Sequence, residues 1–155
     1  MSVSFIEYLP KYGPELVHMW RDSFERAVGV SNPHPFEDHL RFLDEELSRS
    51  HSVVVALEEE SSKVIGFIAY TPKKISQLYV HLDHQNRRVG SHLLDIAKQN
   101  SRGCLQLFTF ERNRSAQRFY ESRGFRIVAR GFEESMQLED IEYEWCAEQI
   151  GSSPD

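Results

Sequence analysis

The stretch "HLDHQNRRVGSHLL", residues 81–94, sets a polar, twice-basic loop directly before an apolar-periodic helix. Upstream, Ile75–Val80 is β-rich; downstream, Val89, Leu93 and Ile96–Ala97 fall on one helical face. A strand that feeds a loop into a helix N-terminus leaves N–H groups without helical partners and about half a positive charge, which attracts anions. Arg87 and Arg88 add full charges. Gly90 is the only glycine, and Arg88 stands where a phosphate-cradling loop normally wants a second one. A residue with ordinary helical φ can still present its N–H to a phosphate. Arg88 is therefore expected in the first helical turn, its side chain swung to solvent or onto a phosphate. Taken alone, the stretch reads slightly better as a plain strand–loop–helix connection than as a phosphate site.

A second junction follows within about two dozen residues. Strand "LQLFTF" leads into "ERNRSAQRFYESRGF", where Asn113 is placed to cap the helix and Gly124 to end it. Tyr120 lies seven residues after Asn113, on nearly the same helical face. The competing reading is a capped helix with Phe119 and Tyr120 as core aromatics.

Outward from these junctions the order is β-α-α-β-β-β-α-β-α-β-β. Strands are read at Val3–Tyr8, Ser52–Leu57, Val64–Tyr70, Ile75–Val80, Cys104–Phe110, Phe125–Ala129 and Ile141–Ala147. A helix runs from Pro14 to near Gly29 through Leu16, Val17, Trp20 and Phe24. Another carries Phe36, Leu40, Leu43 and Leu47. Hairpins mixed with β-α-β crossovers predict an α/β domain: a mixed, six- to seven-stranded central sheet with about four helices on both faces. It is expected to fill residues 1–150, with 151–155 a frayed tail. In such sheets ligands sit beyond strand C-terminal ends, where a loop feeds a helix.

Composition narrows the class. The chain has 155 residues, 40% hydrophobic and 27% charged, with no apolar run long enough to span a membrane. Its N-terminus reads as no secretory signal, and Cys104 and Cys146 read as small buried thiols in apolar strands, so a cytoplasmic protein is expected. A net charge of −6 argues against general nucleic-acid or anionic-membrane binding. The arginines crowd 112–130 while acids cluster at 44–46, 58–60 and 133–144, an asymmetry that suits one anionic and one cationic ligand and, on charge alone, equally a solvated surface of uneven charge. No HExxH appears and His34 and His39 are poorly spaced, so no metal is expected.

Together the two junctions resemble the GNAT superfamily of acyl-CoA N-acyltransferases. The family's pyrophosphate loop, Gln/Arg-x-x-Gly-x-Gly/Ala, is met at Gln85 and Gly90 and departs at Arg88. Its later Asn-x-x-Ala-x-x-Phe-Tyr-x-x-x-Gly-Phe pattern is met at Asn113, Ala116, Phe119, Tyr120, Gly124 and Phe125. The resemblance implies acetyl-CoA as co-substrate. Gln85, Asn86, Arg87, Arg88, Val89, Gly90 and Ser91 would hold its pyrophosphate. Leu78, Tyr79 and Val80 would line the pantetheine arm, the Val80 N–H facing the thioester carbonyl. Asn113 would touch the pantetheine or its phosphate side, with Ala116 and Phe119 also in the cofactor site and Tyr120 near the sulfur as the acid.

The acceptor is then a small amine or a peptide or protein amine, taken by a monomer or homodimer. Trp20, Phe24 and Phe36 are candidate walls for it, and Glu133 or Glu134 a candidate charge, against readings as plain core and solvated turn. No general base is assigned among Glu111, Glu133 and Glu134; water leading to bulk serves equally. A non-catalytic acyl-CoA sensor or scaffold is the alternative, with Arg88 its best support.

Overall fold

The computed structural model describes residues 2–85 and 88–148. The expected contacts Asn86 and Arg87, and the tail 151–155, lie outside them. The order of elements is the one the sequence patterns predict: β1 (Val3–Glu7), α1 (Gly13–Val28), α2 (residues 36–50), β2 (Ser52–Glu58), β3 (Lys63–Tyr70), β4 (Ile75–Val80), α3 (Val89–Gln99), β5 (Cys104–Phe110), α4 (Arg114–Glu121), β6 (Arg126–Glu133) and β7 (Leu138–Cys146). Pro14 sits in the first turn of α1, and Gly29 closes it with φ +83° and an N–H bond to the Glu25 carbonyl. The second helix is α-helical over Phe36–Phe42, passes through a π turn at Leu43–Leu47 and ends with a last turn at Ser48–Ser50.

Period-2 patterning gives each strand two working faces. Val53, Val55 and Phe67 pack toward α1 and α2, against Leu16, Val17, Trp20 and Leu43. Ala56, Ile65 and Ile68 pack on the opposite side against Val89, Leu93, Leu94 and Ala97 of α3, and that core continues to Leu105, Leu107, Ile141 and Tyr143. Fully burying each such side chain stabilises by about 1.5–3 kcal/mol before chain entropy is counted. Helices thus cover both faces, as expected.

The sheet is parted. Strands β1-β2-β3-β4 form one antiparallel sheet and β5-β7-β6 another. Among the described residues a single parallel bridge, Lys74↔Gln106, joins β4 to β5 at the start of β4. Beyond it the two strands diverge.

Two details differ from the sequence reading. The β6–β7 hairpin is longer on both arms, β6 reaching Glu133 and β7 beginning at Leu138, with its turn at 134–137. Polar cross-strand partners such as Gly131↔Asp140 satisfy backbone bonds without an apolar pattern to announce them. The cysteines are not buried thiols: both side chains are exposed and form a Cys104–Cys146 disulfide. Antiparallel register sets them directly opposite each other on β5 and β7.

Candidate active site

Backbone register decides what the parted edge of β4 offers. The His81 N–H bonds the Ile65 carbonyl at 2.7 Å, which makes His81 and Ile65 a hydrogen-bonded antiparallel pair. Counting back along β4, Phe67↔Tyr79 is the next such pair, while Gly66↔Val80 and Ile68↔Leu78 are not. The N–H and C=O groups of Leu78 and Val80 therefore point away from β3, into the gap before β5. The Val80 carbonyl accepts from Ser23 Oγ at 3.4 Å and from Gln85 Nε2 at 3.3 Å, consistent with that direction.

The opposite wall comes from α4. Asn113 caps it, its Oδ1 accepting from the Ala116 N–H at 3.1 Å and from Ser115 Oγ at 3.2 Å. Gly124, at φ +92°, and the Phe125 N–H bond to the Tyr120 carbonyl close the helix in a Schellman-type turn. Tyr120 is buried among Phe119, Phe125 and Tyr143, with ring centroids 5.2, 5.4 and 6.3 Å away. Burial, followed by the neighbouring Tyr79 hydroxyl, pushes its phenol well above the ordinary range. Burial alone pushes Tyr79 up to about 12. Both hydroxyls stay protonated at neutral pH.

Between these walls lies a cavity of about 480 Å³ lined by Leu78, Tyr79, Val80, Gln85, Gly90, Asn113, Ala116, Phe119 and Tyr120. It is continuous in lining with a narrower slot of about 190 Å³ between β4 and β5, which shares Leu78, Tyr79, Asn113, Ala116 and Tyr120. At the cavity's end α3 begins. Its first internal bond runs from the His92 N–H to the Arg88 carbonyl, so the N–H groups of Val89, Gly90 and Ser91 have no partner within the helix. A Cβ on Gly90 would meet the Phe119 ring at 3.3 Å and Val80 Cγ2 at 3.6 Å. Glycine lets the helix start this close to α4 and β4.

Arg88 corrects the sequence reading. It precedes α3 with φ +62° and ψ +13°, in the left-handed region, rather than sitting in the first turn with ordinary helical φ. A residue with a Cβ is strained there by about 1 kcal/mol or more. The position calls for the glycine that the loop lacks.

Charge near the helix start comes from residues the sequence reading left unassigned. Arg118 lines the cavity. Arg123 lies over the Phe119 ring at 4.0 Å and donates to Ser91 Oγ through Nε at 3.1 Å and a terminal nitrogen at 2.6 Å. The crowding of arginines at 112–130 was the available signal, but only the packing of the C-terminal end of α4 against α3 brings Arg123 to Ser91.

On the other side of β4 is a second cavity, about 410 Å³, lined by Trp20, Phe24, Phe42, Tyr79, Phe110 and Met136 with Asn32, His34, Asp38, His39 and Gln77. Trp20 and Phe24 are thus among its walls. Phe36 is not; it packs on His18 with centroids 4.4 Å apart. Neither Glu133 nor Glu134 reaches it. Glu133 lines a separate recess with Phe108, Phe110 and Asp140. Its carboxylate accepts from Ser135 Oγ and the Met136 N–H, which bend it back onto its own turn and lower its pKa. Glu134 is exposed in that turn. Among the described residues no cluster of His, Cys, Asp and Glu could hold a metal, and no helix is long and apolar enough to cross a membrane.

Comparison with known proteins agrees with this fold. The family model for the acetyltransferase (GNAT) domain matches residues 49–127. No curated protein matches the chain. Among solved structures, a GNAT-family acetyltransferase from Staphylococcus aureus Mu50 is 20% identical, with TM-score 0.76, covering 95% of this chain and 100% of that one. PaiA N-acetyltransferase from Thermoplasma acidophilum, in complex with coenzyme A, is 20% identical with TM-score 0.72 and coverage of 94% and 99%. YncA from Salmonella typhimurium, with acetyl-CoA, is 15% identical with TM-score 0.70 and coverage of 100% and 99%.

Proposed function

The chain belongs to the GNAT acetyltransferase family and is an acetyl-CoA-dependent acyltransferase; from that premise we propose that it moves an acetyl group directly onto a primary amine. The observation that carries the proposal is the outward-facing Val80 N–H at the parted edge of β4, with Asn113 and Tyr120 on the facing wall. The residues present fit coenzyme A. Gly90 lets α3 start close against Phe119 and Val80 at the cavity's end, the first N–H groups of that helix suit a pyrophosphate, and Arg118 and Arg123 add positive charge. Leu78, Tyr79 and Val80 would flank the pantetheine arm, and Gln85, Arg88, Val89 and Ser91 the pyrophosphate end. Asn113, Ala116 and Phe119 would form the opposite wall.

Bound acetyl-CoA supplies a thioester carbonyl. The amine nitrogen forms a bond to that carbon while negative charge gathers on the oxygen, which the Val80 N–H is directed to receive. As the carbon–sulfur bond breaks, the Tyr120 hydroxyl donates a proton to the sulfur and the nitrogen gives up one proton to water, from which the tyrosinate is reprotonated, so thiol and amide leave neutral and the hydroxyl is restored. The reading assigns no dedicated base, and a water route to bulk takes the proton from nitrogen. Titration calorimetry with coenzyme A, followed by thiol release from acetyl-CoA across an amine panel, tests the proposal. Saturable binding with amine-dependent release is expected; undetectable binding at millimolar coenzyme A overturns it.

A further inference from the structure

We propose that the acceptor is a small amine whose nitrogen is joined by a short linker to a flat apolar ring, the ring lying in the second cavity among Trp20, Phe24, Phe42 and Phe110. The proposal rests on the acyl-transfer reading above and names its substrate class.

Position comes first. The second cavity shares Tyr79 with the cofactor cavity and Gln77, Tyr79 and Phe110 with the slot between β4 and β5. Helix α1 borders both: Trp20 and Phe24 line the second cavity, Ser23 and Ala27 the first. The offset along α1 from Trp20–Phe24 to Ser23–Ala27 is under one turn, roughly 5 Å, which about two or three methylenes span. An occupant's nitrogen on such a linker reaches the cofactor side.

The lining selects the body. Five aromatic rings and Met136 dominate it, and Phe24 meets Phe110 edge-on with centroids 5.9 Å apart. A flat ring gains apolar contact and ring–ring geometry in such a site. A polyamine or peptide backbone would bury polar groups against walls that are mostly aromatic ring and thioether, with Asn32, His34, His39 and Gln77 as the neutral polar partners. The one carboxylate in the lining, Asp38, is exposed and already 3.3 Å from Arg41. The cavity therefore lacks the buried anion that a second ammonium would need.

His39 adds a neutral polar point. Arg21 donates to its Nδ1 at 3.3 Å, so the proton of the neutral ring is on Nε2. The ring is a hydrogen-bond donor there, with no positive charge to repel the amine. At about 410 Å³ the space lies toward the small end of ligand cavities, which run roughly 300–1,000 Å³, and suits one or two fused rings.

The protein has two tryptophans, so Trp145→Phe leaves Trp20 as the only indole reporter. In that variant, saturated with coenzyme A, 2-phenylethylamine should change Trp20 emission saturably at sub-millimolar concentration, whereas spermidine should not. In wild type, thiol release from acetyl-CoA should show kcat/KM at least about tenfold higher for 2-phenylethylamine than for spermidine or a lysine tripeptide. Phe42→Ser, at a wall residue that is already 39% exposed, should raise KM for 2-phenylethylamine several-fold with kcat nearly kept. Equal or better use of spermidine or the tripeptide, or no Trp20 response to 2-phenylethylamine, overturns the inference while leaving acyl transfer standing. A saturable Trp20 response without thiol release from any amine of the panel supports the ring cavity and overturns acyl transfer instead.

Discussion

Arg21 donates to Nδ1 of His39 across 3.3 Å, tying α1 to α2 beside the Trp20 ring, whose centroid is 4.1 Å from the imidazole. Burial first, then Arg21 and His34, lowers the His39 pKa from 6.5 to about 4. Above pH 6.5 the ring is neutral folded or unfolded. As pH falls from 6.5 toward 4, the unfolded chain binds a proton that the folded chain refuses, so stability falls. The loss from this group is on the order of 3 kcal/mol. Chemical denaturation at pH 7 and pH 4.5 should show it, and His39→Gln should flatten the pH dependence in that window. An unchanged slope would count against the burial of a neutral imidazole.

Arg88 carries a conformational strain that substitution can relieve. Arg88→Gly should stabilise the loop by up to about 1 kcal/mol and tighten coenzyme A binding several-fold. Arg88→Ala keeps the Cβ and loses the charge, so it should bind no better than wild type. Calorimetry on the three proteins checks the pair. Equal gains from both variants would show that the guanidinium, rather than φ +62°, is what the site works against.

Tyr120→Phe deletes only a hydroxyl. The proton-donor role predicts kcat lower by ~10² with coenzyme affinity nearly kept. An acid works while protonated and fails as pH rises through its pKa. Because burial holds this phenol above its ordinary ~10, wild-type kcat should show no fall due to Tyr120 up to about pH 10. A kcat held within a few-fold in the variant, or a fall in affinity alone, would make Tyr120 a packing residue.

The Cys104–Cys146 disulfide closes a loop with a sequence separation of 42. Constraining the unfolded chain over such a span stabilises by about 2–4 kcal/mol. Reductant, or Cys146→Ser, should lower Tm by roughly 5–15 °C in a domain of this size. Both cysteines are exposed residues, so the bridge lies at the surface. A Tm unaffected by reductant would mean that the bridge adds nothing.

What was legible in the chain was what local chemistry writes. Asn113 and Gly124 announce α4 because a cap and a left-handed turn are decided by a few adjacent residues, and Tyr120 then follows by helical period. The disulfide was not legible, because the facing of Cys104 and Cys146 depends on the β5–β7 register, set by the whole hairpin and helix packing. Trp20 and Phe24 belong to one helical periodicity and Phe36 to the next, and nothing in either tells that Phe36 would turn to His18 while Phe42, Phe110 and Met136 complete the cavity. Glu133 misled for a related reason. Its charge was visible, but its bonds to Ser135 and Met136 exist only in the folded turn. At Arg88 the sequence shows the missing glycine, but whether the backbone there takes a positive φ is decided only by the folded loop.

The divergence of β4 from β5 also bears on self-association. A strand with a free row of amides usually recruits another chain's strand, a common route to aggregation. Here the free row is recessed: α4 overhangs it through Asn113, Ala116 and Tyr120, and the slot behind holds only about 190 Å³. A slender single arm carrying amides of its own can slide alongside β4 and complete its bonding. A neighbouring protein's sheet, bulky on both faces, is kept out by the overhang. The same narrowness that shapes a seat for a thin ligand guards the edge while that seat is vacant.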